Sequence, residues 1–166
     1  YTANNIIIAT GARSRELPSL PQDGKKIIGY RQAMTLDKQP EKLIVVGSGA
    51  IGIEFAYFYN AMGTDVTVVE YLPKIVPVEE KDISIQLEKS FKKAGVKVMT
   101  SSEVTKVDTT GKGVIVTVKT AKGEEILEAD MVLSAVGIKT NIENIGLEDV
   151  GIATDRDKVL VNDFYQ

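Results

Sequence analysis

The sequence predicts an α/β chain: a central parallel sheet with helices, plus an antiparallel β-meander. Three observations carry that prediction. Short apolar runs alternate with amphipathic, helix-length stretches as far as residue 99. Beyond residue 103 the apolar period changes from 3.6 to 2. Between them in weight stands the turn VVGSGAIGIE, Val45–Glu54, which spaces three glycines as G-x-G-x-x-G where a strand hands over to a helix.

The elements come in this order. Asn5–Ala9 is apolar enough for a buried strand and ends at Thr10-Gly11. Arg13–Asp37 reads as a connector, with one helical turn near Gln32-Ala33-Met34, and a domain boundary fits there. Leu43–Val46 is the next strand, bounded by Pro40 and Gly47. The helix after it, Ile51–Met62, places Ile51, Phe55, Phe58, Tyr59 and Met62 at helical spacing and stops at Gly63. Val66–Val69 is a strand ending on Glu70. Pro73 and Pro77 break the next loop. A second helix, Lys81–Ala94, carries Ile83, Leu87, Phe91 and Ala94 on one face, and Gly95 stops it before the strand Val96–Met99. Val104–Val107, Val114–Val118 and Glu125–Leu127 then alternate as a meander, with glycine turns at 110–113 and 121–123. Met131–Val136 is a returning apolar strand that ends at Gly137.

Composition narrows the function. At 166 residues, with 43% apolar and 26% charged residues, the chain matches an ordinary globular domain with a real core. A net charge of -3 argues against nucleic acid or an anionic membrane as partner. No apolar run approaches the roughly 18–20 residues of a membrane span. The chain has no Cys and no His. That removes thiolate nucleophiles, cysteine metal sites and the commonest general base from this sequence. It begins at Tyr1 with a strand that has no lead-in, so we expect a piece of a longer protein.

The glycine turn meets the further conditions of a dinucleotide site. A strand precedes it, a helix comes next, a second strand lies within about 30 residues, and an acid closes that strand roughly 20 residues on. In this reading Gly47 makes the tight turn and Gly49 lets the backbone approach a pyrophosphate. Gly52 packs the helix on the sheet, and the free N–H groups of the helix start face the phosphates. The Glu70 carboxylate would accept both ribose hydroxyls and repel a 2′-phosphate, and Lys74 is the only cation between Glu70 and Pro77. NAD is therefore expected over NADP. The competing reading is a plain βαβ turn with a surface Glu. Glu54, in the first turn of the helix, reads in the same way as a carboxylate suited to the helix dipole.

GSGAIGIEFA (Gly47–Ala56) with VTVVE (Val66–Glu70) resembles the pyridine nucleotide–disulfide oxidoreductases, most closely the branch that oxidises dihydrolipoamide. IIIATGARSRELP (Ile6–Pro18) is similar to the family's segment leaving the FAD domain. ADMVLSAVGIKTN (Ala129–Asn141) is similar to the family's returning strand, and VGIATDRDKVLVN (Val150–Asn162) to the segment after that strand. The resemblance covers essentially the whole chain and implies a Rossmann-like FAD/NAD(P)-binding fold. Residues 1–12 would close an FAD domain, 13–137 would form the NAD-binding domain, and 138–166 would return towards the FAD and central domains. Gly47, Ser48, Gly49, Ala50, Ile51 and Gly52 would hold NAD, with Ile51 near the nicotinamide pocket. Glu70 would take the adenosine ribose, and Gly137 would pass close to the nicotinamide end. Val104 falls where the family packs a residue on the adenine, although it also suits an ordinary alternating strand. Thr10, Gly11 and Ala12 would touch FAD in a longer parent, and Glu54 would pair with a lysine beside the flavin.

The resemblance further implies a cytoplasmic, homodimeric flavoprotein, serving a 2-oxoacid dehydrogenase or glycine cleavage complex. The family's redox Cys pair, its FAD glycine and Gly-Asp motifs and its His-Glu dyad have no counterpart here, so the chain alone is expected to be inactive. Its Gly-Arg-x-Pro-Asn is replaced by Gly137-Ile138-Lys139-Thr140-Asn141. Two alternatives stand beside this reading: the same domain from another FAD-dependent disulfide reductase or an NADH oxidase, and a stand-alone nucleotide-binding module.

Overall fold

A computed structural model describes residues 1–166. In chain order the strands are β1 (Ala12–Ser14), β2 (Ile27–Ile28), β3 (Lys42–Val46), β4 (Asp65–Val69), β5 (Lys97–Met99) and β6 (Glu103–Asp108), then β7 (Val114–Thr120), β8 (Gly123–Ala129), β9 (Met131–Ser134), β10 (Ile138–Thr140), β11 (Thr154–Asp155) and β12 (Lys158–Val159). The helices are α1 (Tyr30–Ala33), α2 (Ala50–Ala61) and α3 (Lys81–Lys93), with a 3-10 turn at Glu148–Val150. Contacts divide the chain into a larger unit, Ser14–Gly137, and a smaller one of Tyr1–Arg13 with Ile138–Gln166.

In the larger unit five parallel strands lie in the order β2-β9-β3-β4-β5. The near-continuous apolar reading of β3 and β4 reflects cover on both faces. Leu43, Val45, Val66 and Val68 point to one face, where Ile53, Ala56 and Tyr59 of α2 and Phe91 of α3 cover them. Ile44, Val46 and Val69 point to the other, against Val104, Val114, Val116 and Val118. Those last four belong to the antiparallel meander β6-β7-β8, which is thus a lid over a parallel sheet. Its first hairpin carries a register shift between Val104 and Lys106.

Several expectations shift. Residues 6–9 form no strand, and Ile6 and Ile7 stand exposed. An apolar run becomes a buried strand only where a sheet edge and a covering layer receive it, and neither is offered to it here. The connector instead contains β1 and β2. Two residues of β2 are too short to show a period, yet Ile27 and Ile28 pair with Val132 and Leu133 and extend the parallel sheet. The returning strand ends at Ser134, two residues early.

Helix α2 turns a different face inward from the one its largest residues suggest. Ile53, Ala56 and Tyr59 are buried, whereas Phe58 and Met62 are more than half exposed. Small residues decide the rotation, because Gly52 and Ala56 let the helix axis approach the sheet. In α3 the buried line runs through Ser84 and Phe91 with Leu87 beside it, while Ile83 and Ala94 are exposed.

In the smaller unit β1 pairs with β10, and β11 with β12 forms a short hairpin. Asn141 ties the first pair down: its N–H donates to the Gly11 carbonyl at 2.9 Å and its Nδ2 to the Thr10 carbonyl at 3.1 Å. The Glu143 carboxylate accepts from Arg13 at 2.7 Å and from Lys139 at 2.6 Å. Arg13 first, then Lys139, hold the Glu143 carboxyl down from its ordinary 4.5 to about 2. A depressed carboxyl favours the folded state fully above pH 4.5, and that contribution is lost as pH falls towards about 2.

Two measurements check these assignments. By chemical denaturation, Phe91→Ala should cost about 3–5 kcal/mol, and Phe58→Ala about 0.5 kcal/mol or less. Equal losses would restore the large-residue face. In an NMR titration the Glu143 midpoint should lie near 2 and return towards 4.5 in Arg13→Ala; a midpoint that ignores the substitution would contradict the pairing.

Candidate functional site

The glycine turn sits at the C-terminal ends of β3 and β9, where parallel sheets present their ligand crevices. Two of its glycines are required by the protein itself. Gly47 has φ +96°, and a Cβ there would lie 2.5 Å from the Ala135 carbonyl oxygen. A Cβ on Gly52 would lie 2.0 Å from the Gly47 carbonyl oxygen. Any side chain at these positions forces β3, α2 and the end of β9 apart.

Gly49 is different. Its φ of −69° is open to any residue, and a Cβ there would meet nothing within 4 Å. Nothing inside the fold calls for glycine at this point, although it is the N-cap of α2. As the N-cap it contributes no side-chain cap, and the first backbone bond of the helix runs from the Ile53 N–H to the Gly49 carbonyl at 3.0 Å. The N–H groups of Ala50, Ile51 and Gly52 thus have no intrahelical partner. They open on a twelve-residue helix whose dipole favours an anion. Open space, free donors and positive potential coincide at this point.

Glu70 comes directly after β4 and is only 6% exposed. Its Oε2 accepts from the Ser48 N–H at 2.8 Å and the Ser48 hydroxyl at 2.6 Å, and its Oε1 accepts from the Leu72 N–H at 2.8 Å. The carboxylate is therefore aimed at the glycine turn rather than at solvent. Ser48 is itself fully buried, and its carbonyl accepts the Val76 N–H at 3.0 Å. Val76 is a β-branched residue at φ +41°, a conformation that persists only when its surroundings hold it. Lys74, the one cation between Glu70 and Pro77, turns its Nζ to the Glu79 carbonyl.

The other expected positions are less uniform. Ala50 and Ile51 lie at the helix start beside Gly49. Val104 is 8% exposed and packs into the apolar layer between sheet and meander, which leaves only its backbone for any ligand. Gly137 has φ +107° and its carbonyl accepts the Arg15 N–H at 2.9 Å. Thr10, Gly11 and Ala12 belong to the β1–β10 segment of the smaller unit, with Gly11 at φ +73°. Glu54 is exposed, but α2 begins at Ala50, so this carboxylate lies in the second turn and not the first. The helix-dipole account of Glu54 is weakened accordingly. Sequence reasoning missed Leu72 and Val76, whose contributions are backbone N–H groups that no residue type announces.

With this geometry in view, comparison with known proteins is decisive for the family. The family model for pyridine nucleotide-disulphide oxidoreductase matches residues 1–166. The chain belongs to that family. It is 50% identical over 165 residues to the dihydrolipoyl dehydrogenase of Rhizobium etli, covering 99% of this chain and 34% of that protein. It is 42% identical over 163 residues to the dihydrolipoyl dehydrogenase of Zymomonas mobilis, covering 98% and 35%. The crystal structure of LpdA from Mycobacterium tuberculosis superposes with a TM-score of 0.80 at 40% identity, over 93% of this chain and 33% of that one. The chain thus spans about a third of the length of the curated relatives it matches. The Rossmann-like α/β fold is the fold of these neighbours. No helix is long and apolar enough to cross a membrane.

Proposed function

We propose that this chain holds NAD(H) within a flavoprotein dihydrolipoyl dehydrogenase and presents it to FAD. The observation that carries the reading is Gly49, a glycine at an ordinary φ with open space around it, at the uncapped start of α2. A glycine that its own fold does not need is best explained by something that must come close from outside. The Ala50, Ile51 and Gly52 N–H groups would then donate to the pyrophosphate. Glu70 would hold the adenosine ribose. A buried anion at that place disfavours a 2′-phosphate, and Lys74 is engaged elsewhere, which favours NAD over NADP.

NAD bound here would supply a hydride acceptor for a reduced flavin. The chain's own work is to bind, orient and screen. Gly137, in the link from β9 to β10, would border the nicotinamide side. In the longer protein Thr10, Gly11 and Ala12 would reach FAD, and the exposed Glu54 carboxylate would be free to pair with a cation beside it. With no Cys and no His, this chain has no group for thiol–disulfide exchange or for abstracting a thiol proton with an imidazole. Dihydrolipoamide, the dimer partner and any 2-oxoacid dehydrogenase or glycine cleavage complex would engage residues elsewhere in such a protein.

Two substitutions test the reading together. Gly49→Ala should change stability by about 0.5 kcal/mol or less and weaken NADH binding about tenfold or more in a fluorescence titration. Gly52→Ala should cost about 3 kcal/mol of stability through its clash with Gly47. Undiminished NADH affinity in Gly49→Ala would remove the pyrophosphate from this turn. The chain alone should also fail to oxidise dihydrolipoamide when NAD and FAD are added, and measurable turnover would contradict the division of labour.

A further inference from the structure

The site places Ser48 where it acts on Glu70 and not on phosphate. Ser48 carries the only side-chain hydroxyl of the glycine turn, is fully buried, and spends both its N–H and its hydroxyl on the Oε2 of Glu70, at 2.8 and 2.6 Å. Its carbonyl is occupied by the Val76 N–H. Both donors of Ser48 are thus spent on Glu70, and the buried side chain has no surface to turn to a ligand.

A carboxylate offers about four lone-pair directions. Oε2 has given both of its own to Ser48, and Oε1 has given one to Leu72 at 2.8 Å. One direction on Oε1 remains. Glu70 held in this way can take one ribose hydroxyl, where the sequence alone suggests two. The donors on both oxygens also offset the cost of burying the carboxylate.

We infer that Ser48 is a positioning residue for cofactor choice: by anchoring Oε2 it presents Oε1 to the ribose and keeps the Glu70 charge where a 2′-phosphate would fall. The inference rests on the NAD(H) reading above. It requires that loss of the hydroxyl be felt through Glu70, and more strongly by NADH, which needs the fixed acceptor, than by NADPH, which the same charge repels.

The test is a set of NADH and NADPH titrations on the 166-residue chain, comparing wild type, Ser48→Ala, Glu70→Gln and the double variant. Ser48→Ala removes one oxygen from a buried site and introduces no clash. It should weaken NADH binding about fivefold to tenfold and lower the NADPH-to-NADH ratio of Kd values about fivefold. In the Glu70→Gln background the same substitution should leave that ratio unchanged. A serine with a merely structural role would move both affinities by one factor and leave the ratio alone. That result, with Glu70→Gln still shifting the ratio, overturns the role of Ser48 and spares the NAD(H) reading. If wild type binds no NADH, or if Glu70→Gln leaves the ratio unmoved, the ribose assignment fails and this inference fails with it.

Discussion

Three stretches of backbone meet at one point with no room for a Cβ: the turn at Gly47, the start of α2 at Gly52, and the end of β9 at Ala135. That close approach is the constraint on which the rest of the larger unit depends. It locks β9 against β3, so the chain's return after the meander lands inside the sheet, between β2 and β3. It also sets the rotation of α2, because a helix pinned at Gly52 must turn Ile53, Ala56 and Tyr59 inward. The larger Phe58 and Met62 stay outside for the same reason. Backbone proximity, more than side-chain bulk, chooses the buried face.

The second constraint is electrostatic and is set on the same turn. Leaving a carboxylate in a site that is nearly closed to water costs several kcal/mol unless donors compensate it. Here the compensation comes from Ser48 on one oxygen and Leu72 on the other, with each bond to a charged acceptor contributing about 1.5–3 kcal/mol. The contacts also stitch together parts of the chain that the sheet alone would not. Glu70 joins the end of β4 to the glycine turn, and Val76 joins the loop before α3 to the same serine. Val76 accepts an unfavourable backbone conformation there, and its side chain is buried beside Ile75 in the main core.

How much of this is legible in the sequence depends on which physical signal each feature uses. The β3-α2-β4 unit is legible because glycine spacing, apolar runs and a strand-ending acid are all local, and the three agree. The meander is legible from its period of 2, though its strands run further than the apolar positions alone suggest. Two-residue β2 is not, since its place at the sheet edge is settled by β9, about a hundred residues away. Residues 6–9 show the converse failure: their apolar composition reads as a buried strand, but burial requires a receiving surface that composition cannot specify. At the site, the positions of Gly47, Gly49, Gly52 and Glu70 are readable. That Ser48 serves the carboxylate is not, because a serine between two glycines is compatible with either partner and only the side-chain direction decides.

The donors at the turn are partitioned between the internal carboxylate and the start of α2. The start of α2 attracts anions, and Glu70 is an anion within reach of the same turn. The hydroxyl and N–H of Ser48 hold the carboxylate on the β4 side, and the Leu72 N–H holds its other oxygen, so it does not cap the helix. The helix start is thereby left uncapped, with Gly49 adding no side chain to obstruct it. An anion from outside would find unclaimed donors there, while the internal carboxylate keeps its own. Ser48 thus holds the carboxylate away from the helix start, and by spending both of its donors on Glu70 it leaves the neighbouring N–H groups available.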